Sequence, residues 1–191
     1  DSLRRIAAAG ATSIEVRYRA PSQSDSLWSN GVIDVESNRV QRDYAYVTPV
    51  SLFGFLPDRI DEPVELSVDL PRGWKVATAL EEVGKNRFRA PSFLHFEDSP
   101  LFFSNQLETF TEDLDGMALS ISIHGLSRSR SKELASHCVK ITEAAGRLFG
   151  GFPFDNYHYL LGFVPQGGGS GLEHSYSTLI LLNPSLPIDG E

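Results

Sequence analysis

The residues best placed to do chemistry lie near the C-terminus, in Gln166-Gly167-Gly168-Gly169-Ser170-Gly171 followed by Leu172-Glu173-His174. Glycines carry no Cβ, so backbone built from them can lie very close to a ligand. Gly/Ser runs are usually flexible linkers, but this one sits between two strongly apolar segments rather than between domains. Glu173 at its end offers a carboxylate that can pair with a ligand cation; the plainer alternative is a solvated loop acid. An acidic pair, Glu97-Asp98 after His95, reads as a turn through Asp98-Ser99-Pro100, with the aspartate accepting a local backbone hydrogen bond.

Other chemistries are harder to build. The five histidines, His95, His124, His137, His158 and His174, include no pair spaced as in an H-E-x-x-H helix. Cys138 is the only cysteine, so the chain holds no recognisable zinc site. His124, on the polar side of a strand, and His137, on a helix, read as surface or boundary residues, and His158 as structural. Cys138 falls on an apolar helix stripe, where a buried thiol is inert. The glycine run lacks the G-K-[ST] of a phosphate loop and no helix follows it. Gly169-Ser170-Gly171 has the wrong spacing for a G-x-S-x-G nucleophile elbow.

Composition narrows the class. The 191 residues are 41% hydrophobic and 22% charged, with Asp and Glu outnumbering Lys and Arg 25 to 17, a net charge of -8. These are globular proportions, and the acidity disfavours non-specific nucleic-acid binding, which needs clustered cations. One cysteine excludes a disulfide scaffold. No apolar stretch approaches the ~20 residues of a membrane-spanning helix. The opening Asp1-Ser2-Leu3-Arg4-Arg5-Ile6 is too weakly apolar for a signal peptide. It also lacks an initiating Met, so the sequence is expected to begin inside a longer protein. The compartment, cytoplasmic or periplasmic, stays open.

The elements that must position these residues follow from periodicity. Ile14, Val16 and Tyr18 alternate with polar residues, as do Val64, Leu66, Val68 and Leu70, and Met117, Leu119, Ile121 and Ile123. Such period-two runs predict half-buried strands, and frequent turns between them predict a β-sandwich-like unit. Beyond Gly125 the period changes. Leu134, Cys138, Ile141, Ala145 and Leu148 form one helical stripe, with Ser127, Ser129 and Ser131 offering cap oxygens and Gly150-Gly151 and Pro153 stopping the helix. The apolar runs Tyr157 to Val164 and Tyr176 to Leu182 suit strands covered on both faces. A division between residues 1–125 and 126–191 follows, an α+β chain overall.

At this point the residues resemble a known family. Gly168-Gly169-Ser170-Gly171-Leu172-Glu173-His174, followed by Ser175-Tyr176-Ser177-Thr178, is similar to the G-G-L-E-H-x-x-S-T segment of glycyl aminopeptidases. Phe149-Gly150-Gly151-Phe152-Pro153 and Tyr157-His158-Tyr159-Leu160 resemble the helix end and strand preceding it there. Leu70-Pro71-Arg72-Gly73-Trp74-Lys75-Val76-Ala77-Thr78, Phe88-Arg89-Ala90-Pro91 and Asp98-Ser99-Pro100 resemble earlier segments of that family, in the same order across residues 64–182. Ser170-Gly171 departs mildly from the family's paired glycines.

The resemblance implies a β-sandwich-like N-terminal domain over 1–125, incomplete at its start. It also implies the beginning of a thermolysin-like α/β catalytic domain over 126–191, ending at Pro187-Ile188-Asp189-Gly190-Glu191 before an H-E-x-x-H helix. No cofactor is expected in this chain; zinc is expected in the full-length protein. Gly169, Ser170, Gly171, Leu172, Glu173 and His174 are implied to line a substrate cleft, by similarity to the G-x-M-E-N segment of related zinc aminopeptidases. Glu173 would bind the free N-terminus of a peptide substrate. His174 is left with two implied roles, holding the loop or contacting a transition-state oxygen. The implied partners are that peptide and the remainder of the catalytic domain, with no catalytic residue in this chain. Two other readings stand beside it: a non-catalytic β-sandwich binding module, and a homologue that has lost zinc.

Overall fold

The computed structural model describes residues 10, 12–20, 38–165 and 169–185. The opening segment, Gln166 to Gly168 and the last residues 186–191, about which expectations were stated, lie outside the described residues.

Three sheets and one long helix make four layers. A four-stranded antiparallel sheet runs in the order β1 (Arg39–Val40), β2 (Tyr44–Val47), β7 (Leu101–Ser104), β4 (Lys75–Ala77). Beside it lies a three-stranded sheet of β3 (Val64–Ser67), β6 (Arg87–Ala90) and β5 (Glu81–Gly84). The short helix α1 (Phe93–Glu97) packs Phe93 and Phe96 into the core under that second sheet. Alternation makes the first sheet two-faced: Ala45, Leu101 and Phe103 meet Leu66 and Val68 on one side, while Tyr44, Tyr46 and Phe102 face the other way.

That other side packs on a five-stranded mixed sheet. Its members are β8 (Glu108–Leu114), β9 (Met117–His124), β10 (Asn156–Phe163), β11 (Ser170–Glu173) and β12 (Ser177–Leu182). They run in the order β11-β12-β10-β9-β8. β10 is parallel to both β9 and β12, while the outer pairs are antiparallel. The helix α2 (Arg128–Phe149) links β9 to β10 and covers the far face of this sheet. Gly125, at φ +87, turns the chain from β9 toward α2 against the Phe163 carbonyl, where a Cβ would stand 2.1 Å from that oxygen. The division expected at 125/126 thus falls at a crossover, with β8 and β9 sharing one sheet with β10 to β12. Among the described residues the chain is α+β, with a sheet-rich N-terminal part from Arg39 onward.

Two local expectations are corrected. Residues 12–20 carry no strand, and Ile14, Val16 and Tyr18 are all exposed. Alternation makes a strand only where a partner takes the ladder bonds; what ties Tyr18 here is a hydrogen bond from its hydroxyl to the Leu52 carbonyl, 2.8 Å. On α2 the buried row is Ser131, Ala135, Cys138, Thr142 and Gly146, whereas Ile141 and Leu148 point outward. Small residues line the inner face because the helix end approaches the aromatic segment after it: a Cβ at Gly146 would lie 2.5 Å from the Phe152 ring. The helix ends as its glycines suggest, with Gly150 left-handed at φ 79 and its N–H bonded to the Gly146 carbonyl.

Candidate functional site

β11 is the edge of the five-stranded sheet, paired with β12 through Ser170 to Leu181, Gly171 to Ile180, Leu172 to Leu179 and Glu173 to Thr178. Beyond its end the His174 N–H donates to the Ser177 carbonyl at 2.8 Å. Antiparallel ladders alternate, so this bond makes Leu172/Leu179 and Ser170/Leu181 the hydrogen-bonded pairs. The Thr178 hydroxyl, donating to the Leu172 carbonyl at 3.2 Å, lies on that same inner side. Gly171 and Glu173 then turn their N–H and C=O groups outward, away from β12. Among the described residues no strand takes them up.

The side chains alternate as well. Leu172 packs into the core beside Leu179 and Leu181, facing the four-stranded sheet. Gly171 and Glu173 lie on the opposite face, and both are exposed. Gly169 is tightly placed, since a Cβ there would meet the Leu182 side chain at 3.2 Å. The Glu173 carboxylate stands near enough to Tyr157 to act on it. Burial first, then the neighbouring Tyr159 and the Glu173 charge, push the Tyr157 hydroxyl up to about 12. An open cavity of about 510 Å³ adjoins the strand end, lined by Leu172, Glu173 and His174 with Thr48, Glu97 and Asp98 across from them. The six residues singled out in the sequence, Gly169 to His174, thus form one continuous edge with its following turn.

His174 behaves differently from its neighbours. Its side chain is only 5% exposed, and its Nδ1 lies 3.0 Å from Asp98 Oδ1. The second carboxylate oxygen of Asp98 accepts from the Ser175 N–H at 2.9 Å. Asp98 therefore does not close a local turn with its side chain, as its sequence context suggests; it reaches 76 residues along the chain. Burial pushes this carboxyl up, but the bonds from Ser175 and His174 outweigh burial and hold it below its usual value. His174 Nε2 is buried and has no hydrogen-bond partner. His95, on α1, stacks on Tyr176 with ring centroids 4.7 Å apart. None of this was legible in spacing; the one signal was that both segments belong to the ordered set of family-like motifs.

The remaining candidates are structural in their surroundings. His124 Nδ1 lies 2.9 Å from Ser104 Oγ, and His158 is bonded to the Thr78 carbonyl and to Ser122. Cys138 is buried, and burial raises its thiol to about 11, well away from reactivity at neutral pH. Among the described residues no three His, Cys, Asp or Glu side chains converge to hold a metal ion. Nor is any helix among them long and apolar enough to cross a membrane.

Comparison with known proteins places this geometry. The fold is similar to that of a solved aminopeptidase N family protein from Idiomarina loihiensis, with 24% identity and a TM-score of 0.71. The match covers 83% of this chain but 29% of that one, so the chain spans well under half of that structure's length. At this identity the likeness speaks for the fold. No curated protein matches the chain. Residues 5–105, more than half of the sequence, match the peptidase M61 N-terminal domain. By that domain, the chain belongs to the peptidase M61 family.

Proposed function

We propose that the chain is the substrate-side part of a zinc aminopeptidase, in which β11 receives an extended peptide as an added strand and Glu173 binds its free α-ammonium. The observation that carries this reading is the open edge of β11: outward backbone groups at Gly171 and Glu173, and an exposed carboxylate at the end of the strand. Peptide recognition by strand addition needs such an edge, with main-chain bonds for affinity and side chains for selection. A carboxylate at the strand end fixes where the peptide begins, and so which bond lies at the reacting position. The glycyl-aminopeptidase resemblance of residues 168–178 and the M61 N-terminal domain point the same way. The zinc ligands are assigned to a segment outside this chain.

The test is Glu173→Gln in the full-length enzyme, assayed on matched peptides with free and acetylated N-termini. Loss of a charge-assisted bond, about 1.5–3 kcal/mol, should lower kcat/KM for the free peptide by about 10- to 100-fold. The blocked peptide, already lacking the ammonium, should change little. Equal losses for both rule out the amine-binding role.

A further inference from the structure

Two segments far apart in sequence meet at the end of the candidate edge. Asp98 closes α1, its N–H bonded back to the Leu94 carbonyl, and its carboxylate leaves the helix to reach the turn after β11. There it accepts from His174 Nδ1 at 3.0 Å and from the Ser175 N–H at 2.9 Å. A carboxylate only accepts, so the neutral imidazole carries its proton on Nδ1. The His95–Tyr176 stack adds a second grip from α1 on the same turn. This turn joins β11 to β12, and β11 has only four residues, paired on one side. Short edge strands open readily unless held at their ends.

We infer that Asp98 is a positioning residue for the peptide-binding edge: acting through His174 and Ser175, it fixes the turn that sets where Glu173 stands. The N-terminal half thereby takes part in substrate selection through the turn that Asp98 holds. The inference rests on the reading of β11 as that edge. It also accounts for why a histidine follows Glu173. A side chain that is both buried and able to donate from Nδ1 lets a carboxylate of another layer hold the strand end.

The experiment compares wild type, Asp98→Ala, Asp98→Asn and Glu173→Gln in the full-length enzyme, on free and N-acetylated peptides. Loosening the edge removes binding shared by ground and transition states. Asp98→Ala should therefore raise KM for the free peptide about tenfold while kcat stays within about twofold. Asp98→Asn can keep both contacts. Its amide oxygen accepts from Ser175, and its amide N–H donates to His174 Nδ1 once the imidazole proton moves to Nε2. It should restore KM to within about threefold of wild type, while ¹⁵N spectra of the His174 ring show the exchanged tautomer.

An Asp98→Ala enzyme with wild-type KM overturns the inference, as does one that loses kcat alike on free and blocked peptides. If Asp98→Ala does not fold, Asp98→Asn decides: an exchanged tautomer with retained KM supports positioning, and an unchanged tautomer refutes the contact. Failure of the underlying reading looks different. Glu173→Gln would then treat free and blocked peptides alike whatever the Asp98 variants do, and the positioning role would fall with it.

Discussion

The two faces of the five-stranded sheet are built on opposite principles. Toward α2, Met117, Leu119, Ile121, Ile123, Leu161 and Phe163 meet Ala135 and Cys138 in an apolar cluster, with the Thr142–Tyr159 hydroxyl contact at its margin. Toward the four-stranded sheet, Leu160, Leu179 and Leu181 form an apolar centre, but polar side chains surround it. His124 bonds to Ser104, whose hydroxyl donates to the Asp43 carbonyl; His158 donates to the Thr78 carbonyl and accepts from Ser122; His174 bonds to Asp98. Three of the five histidines thus tie the sheet to the N-terminal half. Apolar burial is strong but non-directional and permits sliding, whereas buried hydrogen bonds fix position and are costly to leave unmade. The first face holds a helix in place. The second sets the register between two layers, and the candidate edge depends on that register.

The largest effect should come from the apolar face. Leu119 is fully buried, and truncating it leaves a cavity beneath α2. Leu119→Ala should cost about 2–5 kcal/mol in chemical denaturation. The same loss should be found at pH 7 and pH 5, because the buried cluster around Leu119 contains no acid or histidine. A loss confined to the lower pH would break the contrast between the faces.

Acid should act on the polar face. The ordinary histidine value is 6.5, but burial drives His158 down to about 4, only partly opposed by its bond to the Thr78 carbonyl. Burial likewise lowers His124, against the weaker pull of Asp43. A depressed histidine value means that the unfolded chain takes up protons first. The His158 contribution is therefore whole above pH 6.5 and is lost as the pH falls from there to about 4. The lost stability amounts to about 3 kcal/mol from this residue. Asp98, held low, adds its own loss only below its usual 3.8. Denaturant midpoints measured from pH 7 to pH 4 check this, and a flat curve would mean that the histidines are not buried between the layers.

How far the sequence reveals the molecule follows the same divide. Alternation located β9, and the continuous apolar runs located β10 and β12, because burial on one or two faces writes itself into neighbouring residues. The glycines after Phe149 marked the end of α2 because a left-handed residue is needed there. The inner row of α2 was missed: Ser131, Thr142 and Gly146 are chosen for small size at a close approach, and hydrophobicity does not register that. Thr142 is polar yet satisfied, donating to the Cys138 carbonyl and meeting the Tyr159 hydroxyl. At the candidate edge, the glycine run and acid were conspicuous in type and spacing. The Asp98–His174 contact was not, because no local pattern records which distant carboxylate a histidine will face.

The smallest effect sharpens the comparison from outside. Hydrophobicity places Ile141 on the same stripe as Cys138, but Ile141 is 63% exposed and Cys138 6%. Ile141→Gln removes a β-branched residue from an exposed helix position and installs a better helix former, so stability should stay within about 0.5 kcal/mol of wild type. The same denaturation experiment measures it. A loss of several times that size would mean that Ile141 is packed, which requires α2 to be rotated so that Ile141 and Leu148 face the sheet. Thr142 and Gly146 would then leave the interface, and Thr142 could not meet Tyr159 on β10. A small Ile141 effect beside a large Leu119 effect fixes the helix rotation, and with it which residues of α2 face the sheet.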